Sequence, residues 1–362
     1  MSLDRRHLLA GSGALVAGCA ARGASAEPSD ALDALLVAQA DVLPERAGAG
    51  ANHYPMAAEA LEALDRPELI PLAWRAGAAG YAGPLPRLAP LTDPGAALGA
   101  RERYGDWLEL FRAELARAPW EDVVARWVPR LAPGASAAVF HGLIRTAHAV
   151  RALRRHASPA RRDELAVALA YWAASYVELA PDPAGPALRT PLAALRPRWL
   201  DEVEDVPFDD VHARLARAPL APAVEPAALG ADAQAELAAL VREAAEAFLE
   251  MLVQERHRLW LLHTVTGPAA AALLAPELAP PDARLLAAHA RQAALALFLA
   301  FGAPYEPRAH LRASTPPWPV LTRQAAESGS VHTIKLTEAL LRFRRVDDGL
   351  CRSVIAQWLE WT

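Results

Sequence analysis

The 362-residue chain draws a 53% hydrophobic content mainly from Ala and Leu, with aromatics at 6%, and isoleucine occurs only at Ile70, Ile144, Ile334 and Ile355. Strand formers this sparse exclude an extensive sheet and predict an all-α fold, a single large multi-helix domain. A net charge of -5, with arginines dispersed among acids, leaves no basic footprint for nucleic acid.

The N-terminus opens with Arg5-Arg6-His7-Leu8-Leu9, an apolar small-residue run to Gly18, and then Ala24-Ser25-Ala26. This pattern predicts a twin-arginine-type signal over 1–26 and an exported, periplasmic or envelope-anchored mature domain over 27–362. Val16-Ala17-Gly18-Cys19 also fits a lipoprotein box, in which Cys19 would carry a lipid and give the only contact with a membrane. Cys351 is then the remaining free thiol, so no intrachain disulfide is expected.

Along the mature chain, Ala and Leu recur at three- and four-residue intervals over 102–118, 136–156, 159–179, 232–265, 282–301 and 330–345, as amphipathic or buried helices do. Pro84-Leu85-Pro86, Pro181-Asp182-Pro183, Pro280-Pro281 and Pro316-Pro317-Trp318-Pro319 are expected to stop helices. The acidic 201–210 stretch is the best candidate for a boundary, although one domain is the simpler organisation. No glycine-rich nucleotide fingerprint follows a strand, and no zinc-ribbon, H-E-x-x-H or G-x-S-x-G pattern occurs.

Histidine and lysine carry the chemical signal. His53 sits in Asn52-His53-Tyr54-Pro55-Met56, at a loop-to-helix junction. His141 and His148 lie seven residues apart on an apolar helix face, roughly 10.5 Å along the axis. That separation is long for two ligands of one ion, so His141 is assigned as ligand and His148 to the pocket or to support of the ligands. His263 is expected to close a helix before Gly267 and Pro268, where a satisfied core histidine is the competing role. His156, His212, His257, His289 and His310 have polar neighbours and read as surface residues.

Among 37 basic residues only Lys335 is a lysine, so arginine serves wherever a generic cation suffices. A guanidinium keeps its proton, whereas a desolvated lysine can act as a base or take up carbon dioxide as a carbamate with oxygen donors. Ser330 caps the helix that begins there, and the i,i+3 spacing puts His332 and Lys335 on one face. A surface lysine beside a capping histidine is the competing role.

Taken in order, Asn52-His53-Tyr54-Pro55-Met56, His141-Gly142-Leu143-Ile144-Arg145, His263-Thr264-Val265-Thr266-Gly267 and His332-Thr333-Ile334-Lys335 resemble the motif series of the questin oxidase-like family. That family includes fungal enzymes that oxidatively open anthraquinone-type rings. The resemblance implies a helical fold holding non-haem iron through His53, His141, His263, His332 and a carboxylated Lys335. From their placement, His148 and Lys335 are the residues assigned to catalysis. It implies Fe(II) as cofactor, dioxygen as co-substrate and a polycyclic or phenolic aromatic as substrate, by mono- or dioxygenation. NADPH stays open as electron donor, without a binding motif. Trp107, Trp172 and Trp260 are candidates for stacking on the substrate, with core packing as their competing role. Two other functions remain: a zinc-dependent hydrolase on the same His/Lys site, and a non-enzymatic helical binding protein whose histidines are buried and satisfied.

Overall fold

The computed structural model describes residues 28–361 apart from 47–49, 198–210, 212–214, 216–220, 255–257 and 308–314. The expected export signal over 1–26, Cys19, the acidic 201–210 stretch, His212, His257 and His310 therefore lie outside the described residues.

The described chain is all-α, with thirteen α-helices and one two-stranded ribbon. The helices are α1 (Pro28–Gln39), α2 (Tyr54–Ala63), α3 (Leu72–Ala76), α4 (Tyr104–Arg117), α5 (Trp120–Leu131), α6 (His141–Arg155) and α7 (Pro159–Ala174). They continue as α8 (Ala233–Val253), α9 (Arg258–Leu274), α10 (Pro280–Phe301), α11 (Trp318–Glu327), α12 (Val331–Phe343) and α13 (Asp348–Trp361). Strands β1 (Glu45–Arg46) and β2 (Gly50–Ala51) pair antiparallel just before His53.

Proline starts more helices here than it stops. Pro280 and Pro281 open α10, Pro317 precedes α11 with Pro319 in its first turn, and Pro159 follows the Ser158 cap of α7. At these positions the missing amide would have had no intrahelical partner. The expected stop at Gly267-Pro268 is also absent, because α9 runs through Pro268 to Leu274. The stretch at 232–265 is instead two helices, α8 and α9.

Helix α9 is the centre of the fold, packed against α8, α10, α6 and α12. Leu259–Glu277 is apolar enough to cross a membrane, yet 78% of its most apolar window is buried inside the protein. It is therefore read as a core helix. Trp107, Trp172 and Trp358 are fully buried, each contributing on the order of 1.5–3 kcal/mol by removal of apolar surface from water. Trp107 and Trp172 donate Nε1–H to the carbonyls of Ala97 and Gly134, which places both in the core. His156 is exposed as expected, whereas His289 is only half-exposed, beside Gln292.

Candidate metal centre

Four helices deliver five residues to one buried place. His53 is the N-cap of α2, His141 is the first residue of α6, and His332 is the second residue of α12, one turn before Lys335. His263 comes from the first half of α9. The pairings α2 with α6, α2 with α12, and α9 with both α6 and α12 bring these ends together.

The approach to His141 is strained. Ala138, Val139 and Phe140 all adopt left-handed backbone conformations, with φ of 47°, 54° and 68°. Such conformations cost roughly 1–2 kcal/mol for each residue with a Cβ. The turn aims the Ala138 carbonyl at His141, whose Nδ1 lies 2.5 Å away. It is held shut from α9: a Cβ on Gly267 would come within 2.5 Å of the Phe140 ring. Gly142 similarly lets α6 lie directly on Trp172 of α7.

Backbone carbonyls also set the proton positions on the histidines. His141 Nδ1 donates to Ala138, and His263 Nδ1 faces the carbonyls of Leu259 at 3.1 Å and Trp260 at 3.3 Å. Each ring therefore keeps its Nε2 lone pair for the interior. His141 Nε2 lies 2.9 Å from His53 Nε2 and 3.3 Å from His263 Nε2. The ligand atoms of all three lie within 4.8 Å of one another. With a metal–nitrogen bond of about 2.0–2.1 Å, two nitrogens on one ion stand roughly 3.0–3.4 Å apart. The two close spacings fit a shared ion. His332 borders the same space, its ring centroid 4.6 Å from His53 and 6.0 Å from His263.

Burial and the neighbouring charges shift every member toward its neutral form. Burial, followed by the charge of Lys335, holds His53 and His332 well below the usual imidazole range. In His141 the order is burial, His263 and then Lys335. His263 is lowered to about 3, by burial first and Lys335 second. Lys335 is itself buried, and burial brings its amine down to about 7. Among the described residues no carboxylate is paired with it. Neutral imidazoles and a neutral amine are the forms that bind metal ions or carbon dioxide.

The structure brings together His53, His141, His263, His332 and Lys335 and leaves His148 elsewhere. His148 Nδ1 lies 2.5 Å from Glu59 Oε2, among Arg151, Glu338 and Arg342. Sequence reasoning passed over those four charged residues, because Arg and Glu on helices normally face solvent. It missed the strained turn as well, since Ala-Val-Phe carries no signal for left-handed backbone.

A cavity of about 140 Å³ is lined by residues that include Pro44, Glu45, Arg101, Tyr104 and Tyr171, and by none of the five residues of this centre. The Pro44 carbonyl accepts from the amide of Asn52, the residue before His53. A space of that size admits about one aromatic ring.

No family model matches the chain, and no curated protein matches it.

Proposed function

We propose that the protein is a non-haem-iron-dependent oxygenase that oxidises, and in one form ring-opens, a polycyclic or phenolic aromatic substrate. The observation that carries this reading is the convergence of His53, His141 and His263, whose ligand atoms lie within 4.8 Å of one another, with His332 and a buried Lys335 beside them. Its order of motifs resembles the questin oxidase-like series, which supports iron over other metals.

His53, His141, His263 and His332 would hold the ion. Lys335 would join them after its neutral amine adds to carbon dioxide: a C–N bond forms, one proton leaves to solvent, and the carbamate offers anionic oxygens. The positive ends of α2, α6 and α12 meet at this point and favour such an anion. Ferrous iron bound there would supply the activation of dioxygen that an aromatic ring oxidation requires. The carbonyls of Ala138, Leu259 and Trp260 hold the imidazoles in orientation, and the surrounding apolar core keeps water out.

The mature domain is proposed to be exported, with iron loaded before export; mass spectrometry of the mature N-terminus tests the signal. For the activity, the protein is purified without added metal, its metal content measured, and oxygen uptake followed with anthraquinone-type phenols. Iron together with substrate-dependent oxygen uptake supports the reading. Zinc with hydrolytic activity transfers it to a hydrolase, and no metal at all favours a binding protein.

A further inference from the structure

Beyond the ligand candidates, the same four helices are joined a second time. Glu59 lies six residues after His53 on α2, His148 seven after His141 on α6, Glu338 six after His332 on α12, and Ala269 six after His263 on α9. At 1.5 Å per residue, each partner sits about 9–10.5 Å further along its helix.

There Arg151 of α6 bridges Glu59 and Glu338, with its Nε 2.7 Å from Glu59 Oε1. His148 donates to Glu59, and Arg342 Nε lies 2.8 Å from Glu338 Oε1. Arg342 Nη1 reaches the Ala269 carbonyl at 3.0 Å and thereby ties in α9. Two carboxylates and two guanidiniums balance in charge. Glu59 is held at about 2; burial alone would raise it, and Arg151 overrides burial.

As a source of stability this arrangement is poor. Buried ion pairs recover little beyond their desolvation cost, and apolar residues of similar volume often do as well or better. The second oxygen of Glu338 is moreover buried without a hydrogen-bond partner, which costs on the order of 1–3 kcal/mol. What directional bonds provide and apolar contacts do not is register, because a bidentate guanidinium fixes one helix relative to another.

We propose that Glu59, Arg151, Glu338 and Arg342 form a positioning clasp that sets the registers of α2, α6, α9 and α12, so that the histidine nitrogens one layer above converge on a single ion. This role rests on the metal-binding reading above. No clasp residue is among the five that would hold the ion.

The test uses apo-protein titrated with cobalt(II), whose visible absorption reports coordination. Glu59→Gln with Arg151→Met removes one charge of each sign and leaves the Glu338–Arg342 pair balanced. It is expected to keep its far-ultraviolet circular dichroism, to bind cobalt about 10–100-fold more weakly, and to show an altered visible spectrum. Removal of the exposed pair by Arg87→Met with Glu109→Gln is expected to change neither. Should the double variant not fold, Glu59→Gln alone gives the same readout. Wild-type affinity and spectrum in the folded variants would overturn the clasp alone. Failure of wild-type protein to bind cobalt would overturn the metal reading and the clasp with it.

Discussion

His141 Nε2 and His53 Nε2 stand 2.9 Å apart across 88 residues of sequence, with the Nδ1 of His141 committed to the Ala138 carbonyl. Without a metal, the close contact is satisfied by a proton on His53 Nε2. A bound ion would require that proton to sit on His53 Nδ1 instead, which frees both Nε2 atoms to serve as ligands. His141→Ala is therefore expected to lose most bound metal. His148→Ala, which breaks a bond to Glu59, is expected to retain metal at reduced affinity. Metal content of both purified variants by mass spectrometry checks this, and equal metal in the two would remove His141 from the site.

Gly267→Ala tests the strained turn from a distance. Its Cβ would press on the Phe140 ring, which is buried. Overpacking of this kind costs about 1–3 kcal/mol, and release of the 138–140 turn would move the Ala138 carbonyl away from His141. Thermal unfolding should show the loss of stability, and a metal titration should show weaker binding. A stable variant with unchanged metal affinity would mean that the turn is not needed for the site.

Lys335 gives the metal-free protein a pH dependence in alkaline solution. Its folded value of about 7 lies below the ordinary 10.5, so between these values the unfolded chain binds more protons than the folded one. Stability therefore rises with pH across that window, by up to about 1.4 kcal/mol per unit, and is flat with respect to this group below 7. Lys335→Met should remove that slope and raise stability near neutral pH while abolishing metal-dependent activity. Denaturant unfolding of both proteins from pH 7 to 10 measures the difference, and parallel curves would contradict the burial of a free amine.

The histidines act in acid. His53, His141, His263 and His332 are all lowered from 6.5, so each stays neutral in the folded state while its unfolded counterpart gains a proton. Metal-free protein is expected to lose stability steadily as pH falls below 6.5. Substituting His332 and His263 with Gln should flatten that loss, as followed by denaturant midpoints at pH 7, 6 and 5.

The sequence by itself determined the helical class, through its Ala and Leu spacing and its shortage of β-branched and aromatic residues. It also marked Lys335 by scarcity and the Ser330 cap, which accepts from the Thr333 amide as expected. Composition could not say whether Pro280 and Pro317 end helices or begin them, because the same ring geometry suits both places and neighbouring packing decides. Nor could it separate His141 from His148. Both lie on α6 and both are buried, and only the crossing of α2, α9 and α12 directs one toward other histidines and the other toward Glu59. The buried pairing of Arg151 with Glu59 and Glu338 was equally out of reach, because burial of a charge is a property of what packs over it. Residue types and local periodicity were legible in the chain; the meeting of four helix segments up to 279 positions apart, from His53 to His332, belongs to the tertiary structure alone.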